Sequence, residues 1–288
     1  MHYIDEGPPD APVMLLLHGM PTWSYLYRSM IPDLVAAGYR CIAPDHMGFG
    51  RSDKPTDIHW YTIARHTEIL SALIVDLGLT QITLVCQDWG GPTGLAQAAM
   101  MPERFDHLVV MNTWLHHPQY RYSEGITRWN EGWQAGGRFC VPKPDLGLMM
   151  VMTAGLIDYE QFDSGFREAK TLELTGAAAE MYRGYAAPYR GLPDEGYNGF
   201  RRFPLSIPLD SYHNGNAAAQ TLHYRTLLNW KKGCHFIWGL TDDVFTASWG
   251  RTWAGQMGAR FDGIEDAGHF LQNTHGPQVA KLILAGKS

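Results

Sequence analysis

The chain has 288 residues, 45% hydrophobic and 18% charged. This globular composition excludes a disordered tail and leaves room for one large α/β domain with an insertion, or for two small domains. Its 23 Lys plus Arg stand against 29 Asp plus Glu, a net charge of −6, so nothing points to nucleic acid or an anionic membrane as partner.

Met1 is followed by a polar stretch to Asp10 rather than by a signal peptide, and no apolar run approaches the roughly 20 residues of a bilayer span. A soluble, cytoplasmic protein is expected. Cys41, Cys86, Cys140 and Cys234 show no metal-site or redox spacing and are expected to be free thiols in a reducing compartment.

In chain order, Val13–Leu17, Tyr39–Ala43, Ile82–Cys86 and Leu108–Met111 are apolar runs of strand length. Trp23–Ala37, Ile63–Leu77 and Pro92–Met101 have helical spacing between them. Near-continuous apolar strands alternating with helices predict a mostly parallel sheet covered on both faces. From about Trp114 to Leu222 the rhythm breaks into aromatic-rich helical pieces, with Met149, Met150 and Met152 and with Pro/Gly punctuation at 142–147 and 188–199. This stretch, 114–222, is expected to be a helical cap inserted into a core of residues 1–113 and 223–288. The alternation then returns, with a strand at His235–Trp238, a helix near Ala247–Met257, a weak strand at Arg260–Ile264 and a helix from Pro277 to Leu284.

In open α/β sheets ligands bind beyond the carboxyl ends of the strands. The residues expected there are His18-Gly19, Pro44-Asp45, Gln87-Asp88, Asn112, Asp242 and His269. Ile82–Cys86 runs into Gln87-Asp88-Trp89-Gly90-Gly91 and then a helix. That is the strand–turn–helix setting of a nucleophile elbow, with Asp where a Ser is usual; a plain helix N-cap is the structural alternative for Asp88. The order Asp88, Asp242, His269 matches the nucleophile–acid–histidine order of that fold, and His18-Gly19-Met20-Pro21 follows the first strong strand, where a second oxyanion amide sits.

On these segments the chain resembles the haloalkane dehalogenases of the α/β-hydrolase superfamily, in particular the subfamily whose acid follows the strand beyond the cap. The resemblance rests on HGMPTWSYLYR (18–28), APDHMGFGRSDKP (43–55), VCQDWGG (85–91), YAAPY (185–189), GLTD (239–242) and DAGHFLQ (266–272). The sister subfamily carries its acid where this chain has Asn112, which cannot be anionic. The resemblance therefore implies Asp242, with the adjacent Asp243 as rival.

It further implies that Asp88 displaces halide from a saturated carbon to form an alkyl ester, which His269, oriented by Asp242, hydrolyses by activating water. The backbone N–H groups of Met20 and Trp89 would hold the oxyanion. Substrate, water and halide are the implied partners; no cofactor or metal is expected. The Trp89 indole is one halide donor. In the family the other is a cap Trp or an Asn two residues after the histidine of HGxP, a position occupied here by Met20, and Gly147–Met152 contains no Trp. Trp129, matching a cavity-lining family position, is the expected second donor; Trp133, four residues on, and simple cap packing are the alternatives.

The family also carries a strand hairpin ahead of the segment matching His2–Gly7, so a shortened hairpin and self-association through an exposed sheet edge are expected. Two other readings remain. An epoxide hydrolase would use Tyr120, Tyr122, Tyr159, Tyr182 or Tyr185 as acids, and a ligand receptor of this fold would not turn over at all.

Overall fold

The computed structural model describes residues 1–135, 143–167, 171–209 and 216–287. Among them, seven strands form one sheet: β1 (Tyr3–Glu6), β2 (Val13–Leu17), β3 (Arg40–Pro44), β4 (Ile82–Gln87), β5 (Phe105–Met111), β6 (Gly233–Gly239) and β7 (Arg260–Ile264), in the order β1-β3-β2-β4-β5-β6-β7. Only β1 runs antiparallel, pairing Tyr3 with Pro44 and Glu6 with Cys41. Every residue of β2 and β4 is buried, which requires cover on both faces. The mostly parallel, doubly covered sheet expected from the alternation is therefore present.

Connection handedness explains how that cover arises. From β2 the chain passes through α1 (Ile31–Ala36) to β3 on one side, then through α2 (Ile63–Asp76) back across to β4 on the other. Right-handed crossovers running in opposite directions put their helices on opposite faces. The connections through α3 (Gly90–Met100) to β5 and through α10 (Ala247–Met257) from β6 to β7 run the second way, so α3 and α10 join α2. The last helix, α11 (Leu271–Ala285), packs on α1.

Local sequence sets the helices. α2 starts where Thr62 Oγ1 accepts the Arg65 N–H at 3.2 Å, buries Ile63, Leu70 and Ile74 along one stripe, and ends at Gly78 with φ +61°. α3 begins with Gly90-Gly91 because it presses on β2: a Cβ on Gly90 would lie 2.3 Å from the Leu17 carbonyl oxygen.

Between β5 and β6 the alternation is suspended. Helices α4 (Glu124–Gln134), α5 (Leu146–Thr153), α6 (Tyr159–Arg167), α7 (Gly176–Ala186) and α8 (Asn198–Leu205) pack α5 on α6 and α7, and α4 on α8. α9 (Ala217–Leu227) packs on α3, so the expected boundary at 222/223 falls inside a helix that lies against the sheet layer.

Two expected helices differ. Trp23–Ala37 is a short 3-10 turn at Ser24–Tyr27 followed by α1, with Pro32 in the first turn of α1. The helix expected from Pro277 already starts at Leu271, and the chain kinks at His275 (φ −125°) just ahead of the proline. Cys41 and Cys86 are buried, Cys234 half-buried, all as free thiols; Cys140 lies outside the described residues. No helix among the described residues is long and apolar enough to cross a membrane.

The close approach of α3 to β2 carries a stability prediction. Gly90→Ala should lower the urea unfolding free energy by about 1–3 kcal/mol, the usual cost of overpacking, and an unchanged denaturation midpoint would contradict the contact.

Candidate active site

The strand order reverses between β2 and β4, since β3 lies on one side of β2 and β4 and β5 on the other. A crevice opens at such a switch point, and the chain turns leaving β2 and β4 supply its residues. Asp88, the first residue after β4, has φ +50°, a left-handed conformation that an L-residue adopts only under constraint. Its own N–H donates to the Asn112 carbonyl at 3.1 Å, and its carbonyl accepts from Thr113 Oγ1 at 2.5 Å. Glycine opposite makes the room: a Cβ on Gly19 would fall 2.1 Å from Asp88 Oδ1, and one on Gly91 would fall 1.9 Å from Thr113 Oγ1. Asp88 does not accept a helix-starting N–H through its side chain; Trp89 occupies the cap position of α3, so the N-cap alternative is set aside.

The Asp88 carboxylate, buried but for 6%, points two ways. Oδ1 accepts the Met20 N–H at 2.7 Å. Oδ2 lies 3.5 Å from His269 Nε2. The Trp89 N–H makes no recorded bond to the carboxylate, and as a helix-start amide it has no partner in its own helix.

On the far side of the imidazole, His269 Nδ1 is 2.9 Å from Asp242 Oδ2. Asp242 is fixed by three further hydrogen bonds: its Oδ1 accepts the N–H groups of Val244 (2.8 Å) and Phe245 (3.2 Å), and its Oδ2 accepts from Asn112 Nδ2 (2.7 Å), while Asn112 Oδ1 in turn accepts the Gly239 N–H at 2.8 Å. Asp243 turns outward, its side chain 78% exposed and 3.8 Å from Arg128. Of the two adjacent acids, only Asp242 meets the histidine. Burial alone would push His269 below its ordinary range, but the carboxylates of Asp242 and Asp88 outweigh it and raise the imidazole to about 10.

Asn112 is the residue that sequence reasoning undervalued. It was set aside because it cannot be anionic, yet its amide holds the buried acid in place; its position at the end of β5, level with the other site residues, was the available signal. His18 and Asp45 reach the same edge but are engaged in the scaffold. Burial drives His18 down to about 4, and its neutral ring bonds the Gly19 carbonyl (2.7 Å) and the His46 N–H (2.9 Å). Asp45 accepts the N–H groups of Ser24 (2.8 Å) and Arg51 (2.9 Å).

Asp88 and His269 open into a cavity of about 200 Å³ lined by both sheet-end and inserted residues, among them Met20, Trp89, Trp129, Met149, Met152 and Phe245. The buried Trp89 has no hydrogen-bond partner for its indole N–H among the described residues. Trp133 lies off the cavity, packed edge-on against Phe200 at 5.2 Å. Trp114 lines the cavity, stacked on Phe245 at 4.8 Å, but its indole nitrogen is enclosed by protein.

None of the five tyrosines considered as acids lines this cavity. Tyr122 bonds His116 (2.8 Å), Tyr182 bonds Asp145 (3.1 Å), Tyr185 bonds Asn273 (3.0 Å), Tyr120 packs on Trp249 (4.4 Å) and Tyr159 is exposed. Among the described residues no group of three or more His, Cys, Asp or Glu side chains is placed to hold a metal ion.

A carboxylate on a strained strand–helix turn, a buried acid–histidine pair and a parallel sheet define an α/β-hydrolase-fold enzyme, and the sequence profile described as alpha/beta hydrolase fold matches residues 12–138. The chain belongs to the haloalkane dehalogenase family. It is 38% identical to a haloalkane dehalogenase of Psychrobacter cryohalolentis, covering 99% of this chain and 86% of that protein. It is also 38% identical to one of Mycobacterium marinum, covering 99% and 88%. Among solved structures, a tetrameric haloalkane dehalogenase of Paraglaciecola agarilytica superposes with a TM-score of 0.82 at 32% identity, covering 98% of this chain and 86% of that one.

Proposed function

We propose that Asp88, His269 and Asp242 carry out hydrolytic dehalogenation of small haloalkanes to alcohol and halide. As a member of this family the chain is a hydrolase acting on carbon–halide bonds, and the epoxide reading is set aside. The observation that carries the assignment of residues is the line Asp88–His269–Asp242, with gaps of 3.5 and 2.9 Å, opening into an apolar cavity. That cavity is smaller than the roughly 300–1,000 Å³ clefts that take drug-sized ligands, which supports a small substrate. The inserted helices α4 to α8 serve as its lid. The free thiols support a reducing, cytoplasmic setting.

In the first half-reaction Asp88 Oδ2 attacks the halogen-bearing carbon, and the carbon–halogen bonding pair leaves as halide. The halide is desolvated, which is costly without donors; Trp89 and Trp129 supply indole N–H groups to it. In the second half, His269 Nε2 takes a proton from water as its oxygen attacks Asp88 Cγ. The negative charge develops on Oδ1, which already accepts the Met20 N–H, and the Trp89 N–H joins it. The carbon–oxygen bond to the alkoxide then breaks, His269 returns its proton to the alcohol, and Asp88 is regenerated with a proton released to solvent.

Esterification also prepares the base. With Asp88 anionic, two carboxylates hold His269 up to about 10. An alkyl ester carries no charge, so one of the two is removed and the imidazole becomes easier to deprotonate. Ester hydrolysis should therefore rise with pH through a midpoint well below about 10.

Four measurements test these assignments. On one preparation, bromide release from a bromoalkane is expected and diol formation from the matching epoxide is not; His269→Phe should release one equivalent of bromide and accumulate an alkyl-enzyme adduct by mass spectrometry, whereas the absence of an adduct would sink the two-step assignment. Trp129→Phe should weaken bromide binding about 10- to 100-fold, the equivalent of a charge-assisted hydrogen bond at 1.5–3 kcal/mol, while sparing ester hydrolysis; unchanged bromide quenching of tryptophan fluorescence would refute the role. Finally, β1 is an edge strand of the sheet among the described residues and the Paraglaciecola agarilytica relative is tetrameric, so light scattering is expected to give a mass above that of one protomer, and a strictly monomeric mass would end this part of the proposal.

A further inference from the structure

We infer that Gln87 is a positioning residue for His269, gripping it from the side away from Asp242 and keeping the Nε2 lone pair available to water. The inference rests on the two-step reading above.

Gln87 is the last residue of β4 and fully buried. Its Nε2 lies 3.0 Å from the His269 backbone carbonyl oxygen and 3.1 Å from the His269 ring Nε2. The orientation of a glutamine amide is normally inferred from its partners, and here one partner is decisive. A main-chain carbonyl can only accept, so the reversed amide would bring two acceptor oxygens together. The NH2 group therefore faces His269, one N–H on the carbonyl and the other on the ring.

A ring nitrogen that receives an N–H must offer a lone pair. The imidazole proton is then on Nδ1, where Asp242 Oδ2 accepts it at 2.9 Å. Asp242 and Gln87 thus specify one tautomer from opposite sides. Because one amide nitrogen is bonded to both the backbone and the ring of the same residue, rotating the ring breaks a bond while the anchor stays. The remaining Gln87 atom, Oε1, is buried with no hydrogen-bond partner among the described residues. A side chain present only to fill the end of β4 would do so with less penalty as Met or Leu.

The effect on protonation opposes that of the carboxylates. Among the described residues the charged groups facing His269 are Asp88 after β4 and Asp242 after β6, and the rings of Phe245 (5.4 Å) and Phe270 (4.5 Å) pack beside it. Both acids draw a second proton to the ring, and that proton on Nε2 would confront the Gln87 N–H. Gln87 therefore resists capture of the base as an idle imidazolium. When the ester forms, water exchanges with the Gln87 N–H at Nε2, and the bond to the His269 carbonyl holds the amide beside it.

The test separates the two half-reactions by rapid quench with a bromoalkane over a range of pH. Gln87→Met keeps the volume and removes the donor; Gln87→Glu keeps the shape and sets a third carboxylate against Nε2. Both should retain a stoichiometric bromide burst. Gln87→Met should slow ester hydrolysis about tenfold or more, corresponding to loss of one net hydrogen bond of about 1.4 kcal/mol. Gln87→Glu should move the rising limb of hydrolysis to higher pH, with activity recovering as pH increases, a shift that mere packing damage does not produce. Hydrolysis rates and midpoints equal to those of the unaltered enzyme in both variants would overturn the inference, as would loss of the burst in both, which would assign Gln87 to Asp88 or to the fold. A missing burst in the unaltered enzyme would instead overturn the two-step reading.

Discussion

Holding an aspartate in left-handed backbone at the tip of a fully buried parallel strand is costly on its own. The φ of +50° at Asp88 costs on the order of 1–3 kcal/mol, and its carboxylate is nearly removed from water. Much of the surrounding structure compensates for that one placement. Thr113 and Asn112 at the end of β5 bond the main chain of the turn, the Met20 N–H neutralises part of the charge on Oδ1, and His269 faces Oδ2. Gly19, Gly90 and Gly91 lack a Cβ where β2, β5 and the turn converge. The strand order adds the last condition, because only at the reversal between β2 and β4 does a crevice open for the side chain to face.

The second carboxylate has the opposite environment. Asp242 is saturated by two loop N–H groups, the Asn112 amide and the His269 ring. Asp88 Oδ2 lies 3.5 Å from the histidine and, among the described residues, accepts no backbone N–H. Hydrogen-bond donors stabilise an anion but also blunt it as a nucleophile. The same functional group is therefore divided into an acceptor that stays put and one with an oxygen free to react. In the proposed cycle the charge each contributes to His269 differs in permanence too: that of Asp242 persists, while that of Asp88 would vanish on esterification.

Much of this was legible in the chain. Continuous apolar strands and alternating helices gave the parallel sheet, and β7 and α10 lie at Arg260–Ile264 and Ala247–Met257 as read from pattern. The elbow was readable because three small features coincide, a buried strand, an acid and two glycines. What pattern could not supply was side-chain direction. Asp242 and Asp243 are indistinguishable in composition and neighbours, and only the turn after β6 decides that the first is wrapped by amides and the second reaches solvent. Pro277 misled for a related reason: a proline marks the first turn of a helix, but the kink at His275 that joins it to the preceding turn leaves no periodicity of its own. The pairing of Gln87 with His269 spans 182 residues, and nothing local announces it.

The inserted helices are tied to the catalytic edge at a specific place. Ser123, the N-cap of α4, accepts the Ile126 N–H at 3.1 Å and donates its Oγ hydrogen to the Val244 carbonyl at 2.7 Å. Gly125, in the next turn, packs so closely that a Cβ there would lie 2.5 Å from the Asp243 carbonyl oxygen. Val244 and Asp243 belong to the loop that carries Asp242, and Trp129 lies one turn further along α4. The helix bearing the proposed halide donor and the loop bearing the proposed acid are thereby joined as one block. Phe245 extends the block inward, its ring 5.4 Å from His269 and stacked on Trp114, which meets Trp89 edge-on at 4.7 Å. Met149 and Met152 bring α5, which packs on α6 and α7, to the same cavity that Ile126 and Trp129 of α4 line, so two separate packings within the insertion meet at the site.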